Sequence, residues 1–244
     1  MELLTQKHWK SGLLLGFIGM TLCGAGDVLL SWFDKDGTAF FGGMANSEMI
    51  DTPLWHFELS MLFGMIAAPL MWRAGSAGYS YISERLQGKK SKMLSLYTIG
   101  TKILVLTVFC AHTVCCVAMM LGRKLLEFGL SAEVIESSFY DVLLLPFFLT
   151  NIWIIVGELL VSIAYIYMVG KKIIDLPKIC LLLNPACLFL LVAEWAGPAL
   201  TALTNNPIFD IVTSGGGSWG LGLMYLALLA ACGRKSAEIP PSQE

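Results

Sequence analysis

Apolar positions along this chain gather into six blocks, at 11–33, 54–72, 94–120, 143–169, 177–201 and 218–233, separated by segments richer in charge, glycine and proline. A run of about 20 largely apolar residues matches the hydrocarbon thickness of a bilayer, so each block is expected to form a spanning helix. The last is the shortest. The expected fold class is all-α: a polytopic membrane protein, one six-transmembrane-helix bundle over 1–235, with 236–244 as a disordered cytoplasmic tail. Residues 121–141 read as a partly amphipathic outer helix, and 73–92 as an extension of the second span ending in a basic run. The segments 34–53 and 202–217, rich in glycine and proline, read as irregular outer loops.

Composition narrows the class further. Of 244 residues, 56% are hydrophobic and 14% charged, and mean hydropathy is +0.71, whereas soluble domains carry about 25% charged residues. A soluble enzyme and a disordered chain are both excluded. The net charge of −2 lacks the basic footprint of a nucleic-acid binder, so the expected partners are the lipid bilayer and a small-molecule or lipid ligand. Seven cysteines lie inside apolar runs without a CxxC pair, and are expected to be small core residues.

Basic residues set the orientation. Lys7 and Lys10 precede the first span; Arg73, Arg85, Lys89, Lys90 and Lys92 fill the second connection; Lys171, Lys172 and Lys178 fill the fourth; Arg234 and Lys235 follow the sixth. The opposite side holds only Lys35, Arg123 and Lys124. The positive-inside rule then places both termini in the cytoplasm and the chain in the cytoplasmic (inner or plasma) membrane. Lys7 and Lys10 before an apolar stretch also resemble a signal peptide, but the run continues through Val28, Leu29, Leu30, Trp32 and Phe33, so the first span is expected to be retained.

Ionisable groups inside a hydrocarbon layer are costly and mark a functional site by default. Counted along each span, Asp27, Glu58, His112 and Glu194 fall at one depth in the outer half. His56 and Asn151 share that half, while Glu158 and Asn184 lie nearer the middle. Together they predict a polar pocket opening toward the extracytoplasmic face. Each also has a plain alternative: Asp27 and Glu158 protonated and hydrogen-bonded between helices, His112 packed in the core, His56 at the interface, Asn184-Pro185 a simple kink. No metal site is expected, because His56, Glu58 and His112 lack the spacing of known zinc motifs, and no haem or other cofactor is expected either.

Gly26-Asp27 in span one and Gly157-Glu158 in span four, with Ala68-Pro69 and Gly197-Pro198 in spans two and five, recur at nearly constant offset. That recurrence suggests a 3+3 inverted repeat in which Asp27 and Glu158 are symmetry mates, as in many secondary transporters.

Some stretches resemble known families. Gly24-Ala25-Gly26-Asp27 resembles the GxGD motif of intramembrane aspartyl proteases, with Tyr140-Asp141 and Pro198-Ala199-Leu200 like two further elements, but here Tyr140-Asp141 follows GxGD where that family places it before. Gly26-Asp27-Val28-Leu29-Leu30 is similar to the aspartate motif of the lysoplasmalogenase family, membrane enzymes that hydrolyse vinyl-ether lipids, over those five residues alone. The first 72 residues, GAGDVLLS then TPLWHFELSMLFGMIAAPLMW, resemble an uncharacterised group of bacterial six-span membrane proteins, which implies no activity.

Three functions fit these residues. The leading expectation is a proton- or cation-linked small-molecule transporter or permease, with Asp27 and Glu158 titrating and His112, Glu194 and Glu58 lining the vestibule. The second is a membrane-embedded enzyme acting on a lipid or isoprenoid, with Asp27, Glu58, His112 and Glu194 as general acids and bases. The third is a structural or sensory subunit. Acids spread along a pathway favour transport; acids converging around a closed, lipid-accessible cavity favour catalysis.

Overall fold

The computed structural model describes residues 6–33, 37–41 and 45–233. Asp34, Lys35, Asp36, Gly42, Gly43, Arg234, Lys235 and the tail expected over 236–244 lie outside the described residues. The fold is all-α, with five helical segments long and apolar enough to cross a membrane, which suggests a membrane protein. Four are continuous helices: α1 (Gln6–Leu30), α2 (Leu54–Arg85), α3 (Lys92–Glu127) and α5 (Leu144–Gly170). The extension anticipated over 73–92 is helical as far as Arg85, while the basic Lys89 and Lys90 lie in the connection before α3. A short helix, α4 (Ala132–Val142), follows α3, and a two-residue hairpin pairs β1 (Ala39–Phe40) with β2 (Ala45–Asn46).

The fifth and sixth expected spans depart from uniform helices. Over 177–201 the chain makes a 3-10 turn (Lys178–Leu182), breaks, and restarts as α6 (Pro185–Leu188). It then passes through π-helical turns (Phe189–Ala196) into α7 (Gly197–Thr204). Pro177 and Pro185 carry no amide N–H to bond into a preceding turn, and each stands at the start of the element that follows it. Asn184, fully buried, bridges the break: its Oδ1 accepts from the Cys187 N–H (3.1 Å) and its Nδ2 donates to the Leu181 carbonyl (2.6 Å). After α8 (Ile208–Thr213) comes α9 (Gly216–Cys232). Its 17 residues reach about 26 Å, short of the roughly 30 Å hydrocarbon layer.

Small residues let the helices approach. On α1, a side chain at Gly16 would collide with Ala74 of α2 and Tyr225 of α9, so α1 lies close against both. The helix α2 packs on α3, α3 on α5, α5 on α6 and α6 on α9, which closes a ring. Two apolar cores fill it. One surrounds Tyr97, Tyr165, Met168 and Tyr225 near the basic end. The other joins Phe57, Cys116 and Met119 to Phe40 of the hairpin and Phe139 of α4, capping the opposite end. Outward faces are apolar as well: Leu106, Leu145, Trp195 and Leu203 are each more than 60% exposed, the pattern of a surface in contact with lipid rather than water.

Candidate functional site

Cys23 and Asp27 are four residues apart on α1 and share one face. Across from them α3 presents His112, whose Nε2 lies 3.3 Å from Asp27 Oδ1 and 3.1 Å from Cys23 Sγ. The first turn of α9 completes the group: Ser218 Oγ donates to Asp27 Oδ2 at 2.7 Å and lies 3.4 Å from Cys23 Sγ. His112 and Cys23 are buried, while the Asp27 side chain keeps 26% of its surface open. His112 Nδ1 is buried and has no hydrogen-bond partner. Both carboxylate oxygens of Asp27 are therefore engaged, and the imidazole is held by one nitrogen only.

The open side of Asp27 faces a cavity of about 290 Å³ between α1, α3, α5, Phe189 and the start of α9. Glu158 and Asn151 on α5 line its far wall, two helical turns apart on one stripe. The Asn151 amide donates to the Phe147 carbonyl at 2.8 Å. Glu158 is half-buried, and Gly217 faces its Oε1 so closely that a methyl group there would overlap it. Toward the basic end the cavity is floored by buried Met20, Leu104 and Leu221. At its rim stands Ile155, half exposed on the outer face of α5. The chamber thus has a polar cluster at one wall, a carboxylate at the other and aliphatic surface between.

Of the eight residues singled out from the sequence, Asp27, His112, Asn151 and Glu158 meet in this cavity; the other four do not. Glu58 is exposed because it follows Phe57, which is fully buried, and successive helical residues point about 100° apart. Glu194 is exposed on the π-helical stretch, on a segment lying almost wholly at the periphery. His56 lines a separate surface pocket with Trp32, Glu48, Asp51, Thr52 and Pro53, its ring against Trp55. Asn184 spends its amide on capping α6.

Two members of the cluster escaped the sequence reading. Cys23 looked like one more small apolar residue, although its i, i+4 relation to Asp27 was a usable signal. Ser218 offered none, since its role depends on α9 lying against α1. Cys23, Asp27 and His112 together form a mixed donor set: a sulfur, a carboxylate oxygen and an imidazole nitrogen all within 4.8 Å of one another.

Residues 5–235 match a protein family described as a family of unknown function, DUF6796, and the chain belongs to it. No curated protein and no solved structure matches the chain.

Proposed function

We propose that this member of a family without assigned function is a membrane-embedded enzyme that acts on the polar end of a lipid or isoprenoid by acid–base chemistry. The observation that carries the reading is convergence: Asp27, His112 and Ser218 meet within hydrogen-bond distance at one wall of a largely apolar cavity. Catalysis wants a carboxyl group held in place beside a space where a reacting atom can sit. His112 Nε2 and Ser218 hold Asp27, whose open side faces the cavity, and Glu158 faces it across the space a ligand head would occupy. Aliphatic walls suit the ligand's apolar body, and the rim at Ile155 offers a way in from the bilayer.

Six crossings, with both termini on the cytoplasmic side, belong to the same reading. The basic loops Arg85–Lys92 and Lys171–Lys178 support that orientation. α9 supports a sixth crossing through its uninterrupted apolar sequence.

The test is incubation of the purified full-length protein with a total lipid extract, followed by mass spectrometry. A product formed by the native chain and absent with Asp27→Asn supports the enzyme; an unchanged lipid profile counts against it.

A second reading, a proton- or cation-linked transporter, draws on one observation. α1 packs on α2 and α9 while α5 packs on α6 and α3, the pairing expected if two three-helix halves were related by an inverted axis. Asp27 and Glu158 would then be equivalent groups on opposite walls. Proton-linked uptake into proteoliposomes, lost in Asp27→Asn, would favour it over catalysis.

A further inference from the structure

A buried imidazole, a buried thiol and a carboxylate from two different helices meet at the wall of the cavity. As an ordinary hydrogen-bonded cluster this set is poorly arranged. One imidazole nitrogen, Nε2, is shared between Cys23 and Asp27, while the other, Nδ1, is buried without a partner. Nε2 carries at most one proton for its two neighbours, so a single ring nitrogen crowded by a sulfur and a carboxylate oxygen asks for an explanation.

We infer that Cys23, Asp27 and His112 form a binding site for a divalent transition-metal ion of the zinc class. Metal–ligand distances of about 2.0–2.1 Å to nitrogen, 2.0–2.2 Å to oxygen and 2.3 Å to sulfur place tetrahedral N and O donors about 3.4 Å apart, and N and S donors about 3.6 Å apart. The observed separations are 3.3 Å for His112 Nε2 to Asp27 Oδ1 and 3.1 Å for His112 Nε2 to Cys23 Sγ. These two pairs need to open by no more than about 0.5 Å, and all three donor atoms lie within 4.8 Å of one another. The donors also suit it chemically: thiolate and imidazole select zinc-like ions over magnesium or calcium, which prefer oxygen alone. Ser218 holds the carboxylate oxygen that the ion leaves free, the outer support that ligating carboxylates need. Three protein ligands leave a fourth position, and because all three line the cavity that position opens into it, as in catalytic rather than structural sites.

The site rests on the proposed enzyme and shares its cavity, but with the ion bound Asp27 and His112 serve as ligands and Glu158 across the cavity is the acid–base group; its test uses no lipid. The full-length protein, purified in detergent, stripped with chelator and kept reduced, is titrated with cobalt(II) as a spectroscopic stand-in for zinc. The expected result is about one equivalent bound per chain, with a thiolate-to-cobalt charge-transfer band and the visible bands of a four-coordinate ion. Cys23→Ser, which nearly conserves volume, removes the charge-transfer band. Ser218→Ala weakens binding by roughly 10- to 100-fold. Cys232→Ser, at the far end of α9, changes nothing. Affinity falls as pH falls, because thiol and imidazole must lose their protons to bind. Substoichiometric binding, a bound ion without the thiolate band, or a band that survives Cys23→Ser overturns the site. Should Cys23→Ser fail to fold, the native chain decides: zinc must protect Cys23 from alkylation, and equal labelling with and without zinc overturns the proposal. A cobalt site without lipid turnover removes the enzyme alone, and lipid turnover by a protein that does not bind cobalt removes the metal alone.

Discussion

Gly64 of α2 lies directly against the ring of His112 on α3, so close that a Cβ at residue 64 would overlap the Cβ, Cγ and Cδ2 of the histidine. The contact reaches the root of the side chain, which cannot swing aside without moving the α3 backbone. Gly64→Ala must therefore part α2 from α3 or drive the imidazole off Asp27. Overpacking of this kind costs about 1–3 kcal/mol. The expected outcome is a lower thermal midpoint in detergent together with loss of activity; an alanine variant as stable and active as the native chain would show that His112 has room the structure does not grant it.

Asp27→Asn and Ser218→Ala separate charge from position. Asparagine keeps the shape of the carboxylate and can still accept from Ser218, so the fold should survive while turnover falls about 100-fold or more, the scale of a lost acid–base group. Ser218→Ala keeps the charge but frees Asp27 Oδ2, costing about 1 kcal/mol and roughly tenfold or more in rate through misplacement. Steady-state kinetics on the product identified by mass spectrometry measures both. Equal and trivial effects from the two variants would remove Asp27 from the mechanism.

How far the sequence reached depends on which property is asked of it. Helix positions were legible because an apolar run of bilayer length has few other uses, and α1, α2, α3 and α5 lie within a few residues of their expected places at most ends. Over 177–201 a kink at Asn184-Pro185 was legible, but the 3-10 turn before it and the π-helical turns after it were not, since hydropathy averages over backbone form. Depth along a span follows from counting, and it brought Asp27 and His112 to one level, with Glu158 nearer the middle. Facing does not follow from depth: Glu58 lies close in depth to the cluster but one residue past buried Phe57, which turns it outward. Ser218 was invisible because its role arises only where α9 touches α1, and Cys23 offered no more than its i, i+4 spacing from Asp27.

Asn184→Ala tests whether that residue is a cap or a ligand-binding group. Losing a helix N-cap costs about 1 kcal/mol, and both halves of this amide are already spent on Cys187 and Leu181. Reduced stability with unchanged turnover per folded molecule is expected. Glu58→Gln and Glu194→Gln, at exposed positions, should leave both properties alone. Loss of activity in any of the three without loss of fold would enlarge the site beyond the cavity.

Orientation is open to a direct measurement. Single cysteines introduced at Lys90 and at Glu133, in a background cleared of native thiols, should label from opposite sides of sealed vesicles, Lys90 from the cytoplasmic side. Labelling of both from one side would break the helix count between α2 and α4.

Gly217→Ala isolates Glu158 without touching it chemically. A methyl group at residue 217 meets Glu158 Oε1, the far end of a flexible side chain, so the carboxylate can move aside at little cost to the fold. This is the opposite of Gly64, where the obstacle is tied to the backbone. If Glu158 faces the ligand head across the cavity, displacing it should reduce turnover much as Glu158→Gln does, with a thermal midpoint near that of the native chain. The two variants should also fail to add when combined, because residues in contact act on one interaction. Additive losses would mean that Gly217 serves the helix start rather than Glu158, and two silent variants would reduce Glu158 to a cavity wall.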